Sequence, residues 1–172
     1  ISTMEGHTMW VRCLTIHDNK LYSGSDDETI RIWNTETYEK IATLRGHTDF
    51  IRCLIHDGNK LYSGGWDDTI RIWNTETYEE ISTLRGHNGG VNCLTIHDNK
   101  LYSGSEDETI RIWARGTNTE TYETIVTLKG HTDWVNCLAI HKNKLYSGST
   151  DKTIRIWKID NNPNFIKRNF EH

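Results

Sequence analysis

The chain has 172 residues, is 35% hydrophobic and 26% charged, and carries a formal net charge of -4. That length suits one globular domain, and the mild acidity gives no electrostatic drive toward nucleic acid or an anionic membrane. No apolar run approaches the length of a membrane span, no basic segment followed by an apolar one opens the chain, and a single proline argues against long linkers.

Val11 to Ile16 is apolar and β-branched enough for a strand, and Asp18-Asn19 supplies a turn. Leu21 to Ser25 follows as a second strand. The polar stretch Ser25-Asp26-Asp27-Glu28 turns into a third, Thr29 to Trp33, and after the loop NTETYE a fourth runs from Ile41 to Leu44. The pattern then restarts. Gly-His recurs at Gly6-His7, Gly46-His47, Gly86-His87 and Gly130-His131, in steps of 40, 40 and 44 residues. The longer step comes from four extra residues, Ala114 to Thr117, before NTETYE resumes. Short strands at regular spacing, a period near 40, Gly-His at one end and Trp near the other predict an all-β chain of four propeller blades, each of four antiparallel strands. The repeats are 6–45, 46–85, 86–129 and 130–157, with 158–172 as a tail.

Repeat two carries a local irregularity. It reads CLIHDGNKLY where the others read CLTIHDNKLY or a close variant. A one-residue slip flips every following side chain across a sheet, so Gly58 is expected to absorb it within the turn and keep Leu61 and Tyr62 in register.

Cys13, Cys53, Cys93 and Cys137 occupy the same place in each repeat. Their even number follows from the repetition alone, and equivalent positions in successive units lie too far apart to bridge. Free thiols in a reducing, cytoplasmic compartment are expected. No Cys-x-x-Cys pair suggests zinc, and no metal or other cofactor is expected.

The four units resemble WD repeats, the tryptophan–aspartate β-propeller family, over nearly the whole chain. The resemblance implies a buried hydrogen-bonded tetrad in each: His7, Ser23, Asp27 and Trp33; His47, Ser63, Asp67 and Trp73; His87, Ser103, Asp107 and Trp113; His131, Ser147, Asp151 and Trp157. The final Asp of the signature is replaced by Asn34, Asn74, Ala114 and Lys158, at a position that varies within the family. A recurring Ser, His and Asp could suggest a hydrolase. Four equivalent copies, each with an indole N–H to satisfy, make the network structural, and no catalytic residue is expected.

The family's blades are out of phase with its repeats, so Ile1 to Glu5 is expected as an outer strand that closes the last blade, donated either within the chain or across the seam to a second one. Phe165-Ile166 falls where such a strand could also begin, but Lys167-Arg168 breaks its pattern. Four such blades splay too little to close tightly, which leaves two arrangements: a homodimer completing an eight-bladed ring, or a piece of a longer propeller.

Comparing the chain with itself shows where it is free to differ. Differences gather after each Gly-His and just before the tetrad Asp. The resemblance places both on one rim, the top face around the channel. Trp10, Phe50, Trp66 and Trp134, with Arg12, Arg52, Asn92 and Asn136 nearer the channel, and Asp26 and Glu106 beside them, are the expected partner-binding residues. The competing reading for the aromatics is packing between blades. The hairpins also resemble propellers of F-box substrate receptors, RING ubiquitin ligases and myosin heavy chain kinases. In F-box receptors an Arg at the position of Arg12 and Arg52 binds phosphorylated degrons; Asn92 and Asn136 depart from it, and nearby acids oppose phosphate. The expected function is a non-catalytic scaffold that binds a protein or peptide. The alternative is the substrate-targeting propeller of a larger ubiquitin ligase or kinase. His17, His56, His97 and His141 are expected as solvated residues at hairpin ends on the opposite face.

Overall fold

The computed structural model describes residues 2–116 and 121–159, and these are all-β. The first sheet pairs β1 (Val11–His17), β2 (Lys20–Ser25), β3 (Thr29–Asn34) and β4 (Lys40–Arg45) in that order, all antiparallel. The second pairs β5 (Ile51–Asp57), β6 (Lys60–Gly65), β7 (Ile70–Asn74) and β8 (Glu80–Leu84), and the third β9 (Val91–His97), β10 (Lys100–Ser105), β11 (Ile110–Arg115) and β12 (Tyr122–Leu128). The fourth has three strands, β13 (Val135–His141), β14 (Lys144–Ser149) and β15 (Ile154–Lys158). Among the described residues no helix is long and apolar enough to cross a membrane.

Successive blades stack through their innermost strands, β1 against β5, β5 against β9 and β9 against β13. Each seam repeats one recipe. Tyr22, Ile30, Ile32 and Leu44 of blade one meet Ile51, Leu61 and Trp73 of blade two. Tyr62, Ile70, Ile72 and Leu84 meet Val91, Leu101 and Trp113, and Tyr102, Ile110, Ile112 and Leu128 meet Val135 and Leu145. Alternation along each strand makes this possible, because every second side chain points into the seam. A glycine sets how closely the blades approach. A Cβ on Gly24 would lie 2.7 Å from Ile51, on Gly64 2.7 Å from Val91, and on Gly104 2.6 Å from Val135.

The expected strands are present to within a residue or so at their ends, and the repeat-two slip is repaired at Gly58, whose φ is +55°. Leu61 pairs with His56 and Tyr62 with Ile55, the same spacing as Leu21 with Ile16 and Tyr22 with Thr15. The repair has a consequence for His56. It takes the place of Ile16 within the strand, while His17, His97 and His141 end theirs. His56 is therefore no solvated turn residue: its ring stacks on His17 with centroids 3.5 Å apart, and its Nε2 is buried without a hydrogen-bond partner. Burial, reinforced by His17, pushes its pKa below the ordinary value.

Among the described residues no closing strand is formed. Ser2–Glu5 has no strand structure, and β15 is the outermost strand of blade four among the described residues. Phe165 and Ile166 lie outside the described residues, as does most of the expected tail.

Candidate functional site

The tetrads form in every blade. In blade two the Nδ1–H of His47 donates to Asp67 at 2.8 Å, its Nε2 accepts the Ser63 hydroxyl at 2.7 Å, and the Ser63 oxygen accepts the Trp73 indole N–H at 2.9 Å. The corresponding distances in blade one are 2.8, 2.7 and 2.8 Å, in blade three 2.7, 2.7 and 2.9 Å, and in blade four 2.6, 2.7 and 2.8 Å. The Asp also accepts from a Thr hydroxyl two residues on and from the N–H after the His, as Asp67 does from Thr69 and Thr48. Burial works to raise these four carboxyls, but hydrogen bonds from the Thr and the His outweigh it and hold them well below the usual carboxylate range. Each network is saturated, and the Ser at its centre is buried.

At one edge of each blade the network meets the variable residues. The backbone N–H just before the tetrad Asp donates to the carbonyl of the residue preceding the inner strand: Asp26 to Trp10, Trp66 to Phe50, Glu106 to Gly90 and Thr150 to Trp134, at 2.9 to 3.0 Å. The two variable positions of a blade are thus tied together. The third, Arg12, Arg52, Asn92 or Asn136, is in each case the residue skipped by a register shift between first and second strands. Such a bulge leaves one residue out of the ladder and re-aims its side chain.

What the blades do with this rim differs. In blade one Arg12 makes a bidentate pair with Asp26, Nε to Oδ1 at 2.8 Å and Nη2 to Oδ2 at 2.6 Å, and its guanidinium lies 4.6 Å from the Trp10 ring centre. Asp26, expected at the surface, is only 4% exposed beneath that arginine. Trp10 is 72% exposed. In blade two Arg52 instead lies 4.9 Å over Trp66, which stacks on Phe50 with centroids 5.5 Å apart. Trp66 is half-buried, its Nε1 without a partner, because it reaches the next blade. A Cβ on Gly90 would lie 2.3 Å from Trp66 Cδ1. Gly90 stands where the other repeats have Trp10, Phe50 and Trp134, so the ring absent from blade three is supplied by blade two. Comparing equivalent positions within the sequence shows both changes, but not that they face one another.

In blade three burial raises the Glu106 carboxyl, against the opposing charge of Arg52 and with help from Asp68. Asn92 donates to the Val135 carbonyl at 3.4 Å. In blade four Asn136 donates to the Thr150 hydroxyl at 2.8 Å, and Trp134 is 45% exposed. The cysteines are free, and burial pushes the thiols of Cys13 and Cys93 up to about 12. Among the described residues no group of three or more His, Cys, Asp or Glu could hold a metal ion.

A family model described as WD domain, G-beta repeat matches residues 1–34, 38–74, 78–114 and 122–158. The chain belongs to the WD-repeat family. This WD-repeat chain is 54% identical over 41 residues to the probable E3 ubiquitin ligase complex SCF subunit sconB of Emericella nidulans, a match covering 24% of the chain and 6% of that protein. Over 36 residues it is 47% identical to the nuclear distribution protein PAC1 of Candida tropicalis, covering 20% and 7%. The matches therefore span under a tenth of these relatives' length. Among solved structures, the computationally designed Ika4 protein superposes with a TM-score of 0.81 at 29% identity over 92% of this chain and 96% of its own. The designed Ika8 protein gives 0.80 at 29% identity and U3-55K 0.81 at 28%; each match covers 91% of the WD-repeat chain, but only 48% and 51% of those longer chains.

Proposed function

We propose that the chain is a non-catalytic scaffold whose variable rim binds a protein or peptide. The observation that carries this reading is the exposure of Trp10 and Trp134 on that rim, 72% and 45%, above tetrads that are sealed and alike. Large aromatic side chains held on a rigid sheet supply contact area at little entropic cost, and such residues dominate interface energy. The same tetrads weigh against hydrolysis. Each Ser that could attack a substrate is buried and already engaged by a His and an indole N–H. Arg12 is held in a bidentate pair by Asp26 and Arg52 lies within electrostatic reach of Glu106, which favours a partner with basic or apolar side chains over a phosphorylated one.

A second reading rests on the likeness to SCF subunits: the rim selects substrates for a ubiquitin ligase. Selection of a displayed peptide library on the whole chain tests both. Basic and apolar binders that are lost in Trp10→Ala and Trp134→Ala, with melting temperatures unchanged, support the rim scaffold. Recovery of phosphopeptides alone supports degron reading. Binders indifferent to both substitutions place the site elsewhere.

A further inference from the structure

The three built seams leave one half-seam open at each end of the arc, and the two halves match. Val11 of blade one is 50% exposed, whereas its equivalents Ile51, Val91 and Val135 are 1%, 0% and 0% exposed. Leu14 and Ile16 on the same strand are also exposed. At the other end Ile154 is 76% and Ile156 62% exposed, against 0% for Ile30 and Ile32. Blade four thus presents Ile154 and Ile156, beside the half-buried Tyr146, from the set that meets the next blade elsewhere, and blade one presents Val11, beside the half-buried Leu21, from the set that receives it. Cys137 repeats the pattern. Cys13, Cys53 and Cys93 place Sγ within 3.8, 3.6 and 4.0 Å of the Ile51, Val91 and Val135 carbonyls of the following blade, while Cys137 is exposed.

We propose that a second copy of this chain covers both faces, head to tail, so that two chains close an eight-bladed ring through two equivalent seams. The occupant follows from continuity with the seams already built: the surface that fits blade four is blade one, and among the described residues these two blades form no seam with each other. The outer edge of blade four points the same way, since β15 is its last strand among the described residues. The sequence ISTMEGH at residues 1–7 parallels ISTLRGH at 81–87, whose Ile81–Leu84 lies in the outer strand β8. In β8, Leu84 pairs with Ile70 and Ser82 with Ile72. By the same register, Met4 and Ser2 of the second copy pair with Ile154 and Ile156, which also covers the free edge of β15. The rim becomes continuous, with Trp10 of one copy beside Thr150 of the other, where Gly90 sits beside Trp66 within the chain.

The test is the mass of the whole chain in solution, with single substitutions on each half-seam. Wild type is expected at about twice 20.0 kDa. Val11→Asp and Ile154→Asp are each expected at the mass of one chain, with circular dichroism unchanged. Mixed in equal amounts, they are expected to regain the two-chain mass, because one seam of the mixed pair is then wild type on both sides. In wild type, Cys137 is expected to lose its reactivity toward a maleimide as the dimer forms, a readout that needs no variant to fold. A one-chain mass for wild type across concentrations overturns the proposal and assigns the faces to further blades or to residues 160–172. A ladder of masses overturns ring closure, and a mixture that stays at one-chain mass overturns the head-to-tail seam.

Discussion

Blades one and two share their strand register, their tetrad and nearly their whole sequence, yet they solve one rim position in opposite ways. Asp26 goes inward, neutralised by Arg12, and leaves Trp10 standing free. Trp66 goes sideways, under Arg52 and against Gly90 of the next blade, and draws Phe50 into its stack. The frame beneath is indifferent to the choice, because the rim residues hang from a backbone hydrogen bond and a bulge that both blades keep. A rim residue is therefore constrained less by its own blade than by what its neighbour presents.

The frame is where breaking the likeness costs most. His47→Ala removes the donor to Asp67 and the acceptor of Ser63 together, leaving Asp67 with its threonine donors alone and the buried Ser63 hydroxyl without its acceptor, and is expected to destabilise by about 2 kcal/mol in chemical denaturation. The cross-blade pair comes next. Gly90→Val should cost about 2 kcal/mol by overpacking against Trp66, and Trp66→Glu, the residue of repeat three, should recover most of it. Failure of that second change to rescue the first would separate the two positions. Arg12→Ala leaves Asp26 buried without its cation and should lower the melting temperature more than Arg52→Ala, which frees only an aromatic face.

The smallest effect is one of pH. The folded pKa of His56 lies below its ordinary value of 6.5, so below that pH the unfolded chain binds more protons than the folded one. Stability should fall as pH drops from about 7 toward about 5, and His56→Ile, which restores the residue of the other repeats, should flatten that slope. An unchanged slope would place the titration elsewhere.

Much of this was legible in the sequence because its determinants are local and repeated. The strands follow from the pattern within one unit, the turn repair at Gly58 from setting one unit beside another, and the tetrads from the resemblance to WD repeats. What escaped is what crosses between units. Trp66 and Gly90 lie in different repeats, and only the stacking of blades brings them together. The burial of Asp26 depends on the Arg12 guanidinium closing over it. His56 was misassigned because the letters IHD suggest a hairpin end, whereas residue count along the strand places it one position inward. Repetition marks Ile1 to Glu5 as a closing strand but does not say whether it closes its own chain's last blade or another's, and Ser2–Glu5 pairs with no strand among the described residues.

The four hairpins that pair KLYSG with IRIW are close enough to identical that any of them could form the same ladder in another's place. Contact energy then says little about which copy belongs where. Selection falls to kinetics: strands joined by connections of three or four residues find each other first, because their loop closure loses least entropy. A chain that repeats itself so closely relies on speed for its fidelity. Slowing one tight turn should raise exchange between copies before it lowers stability.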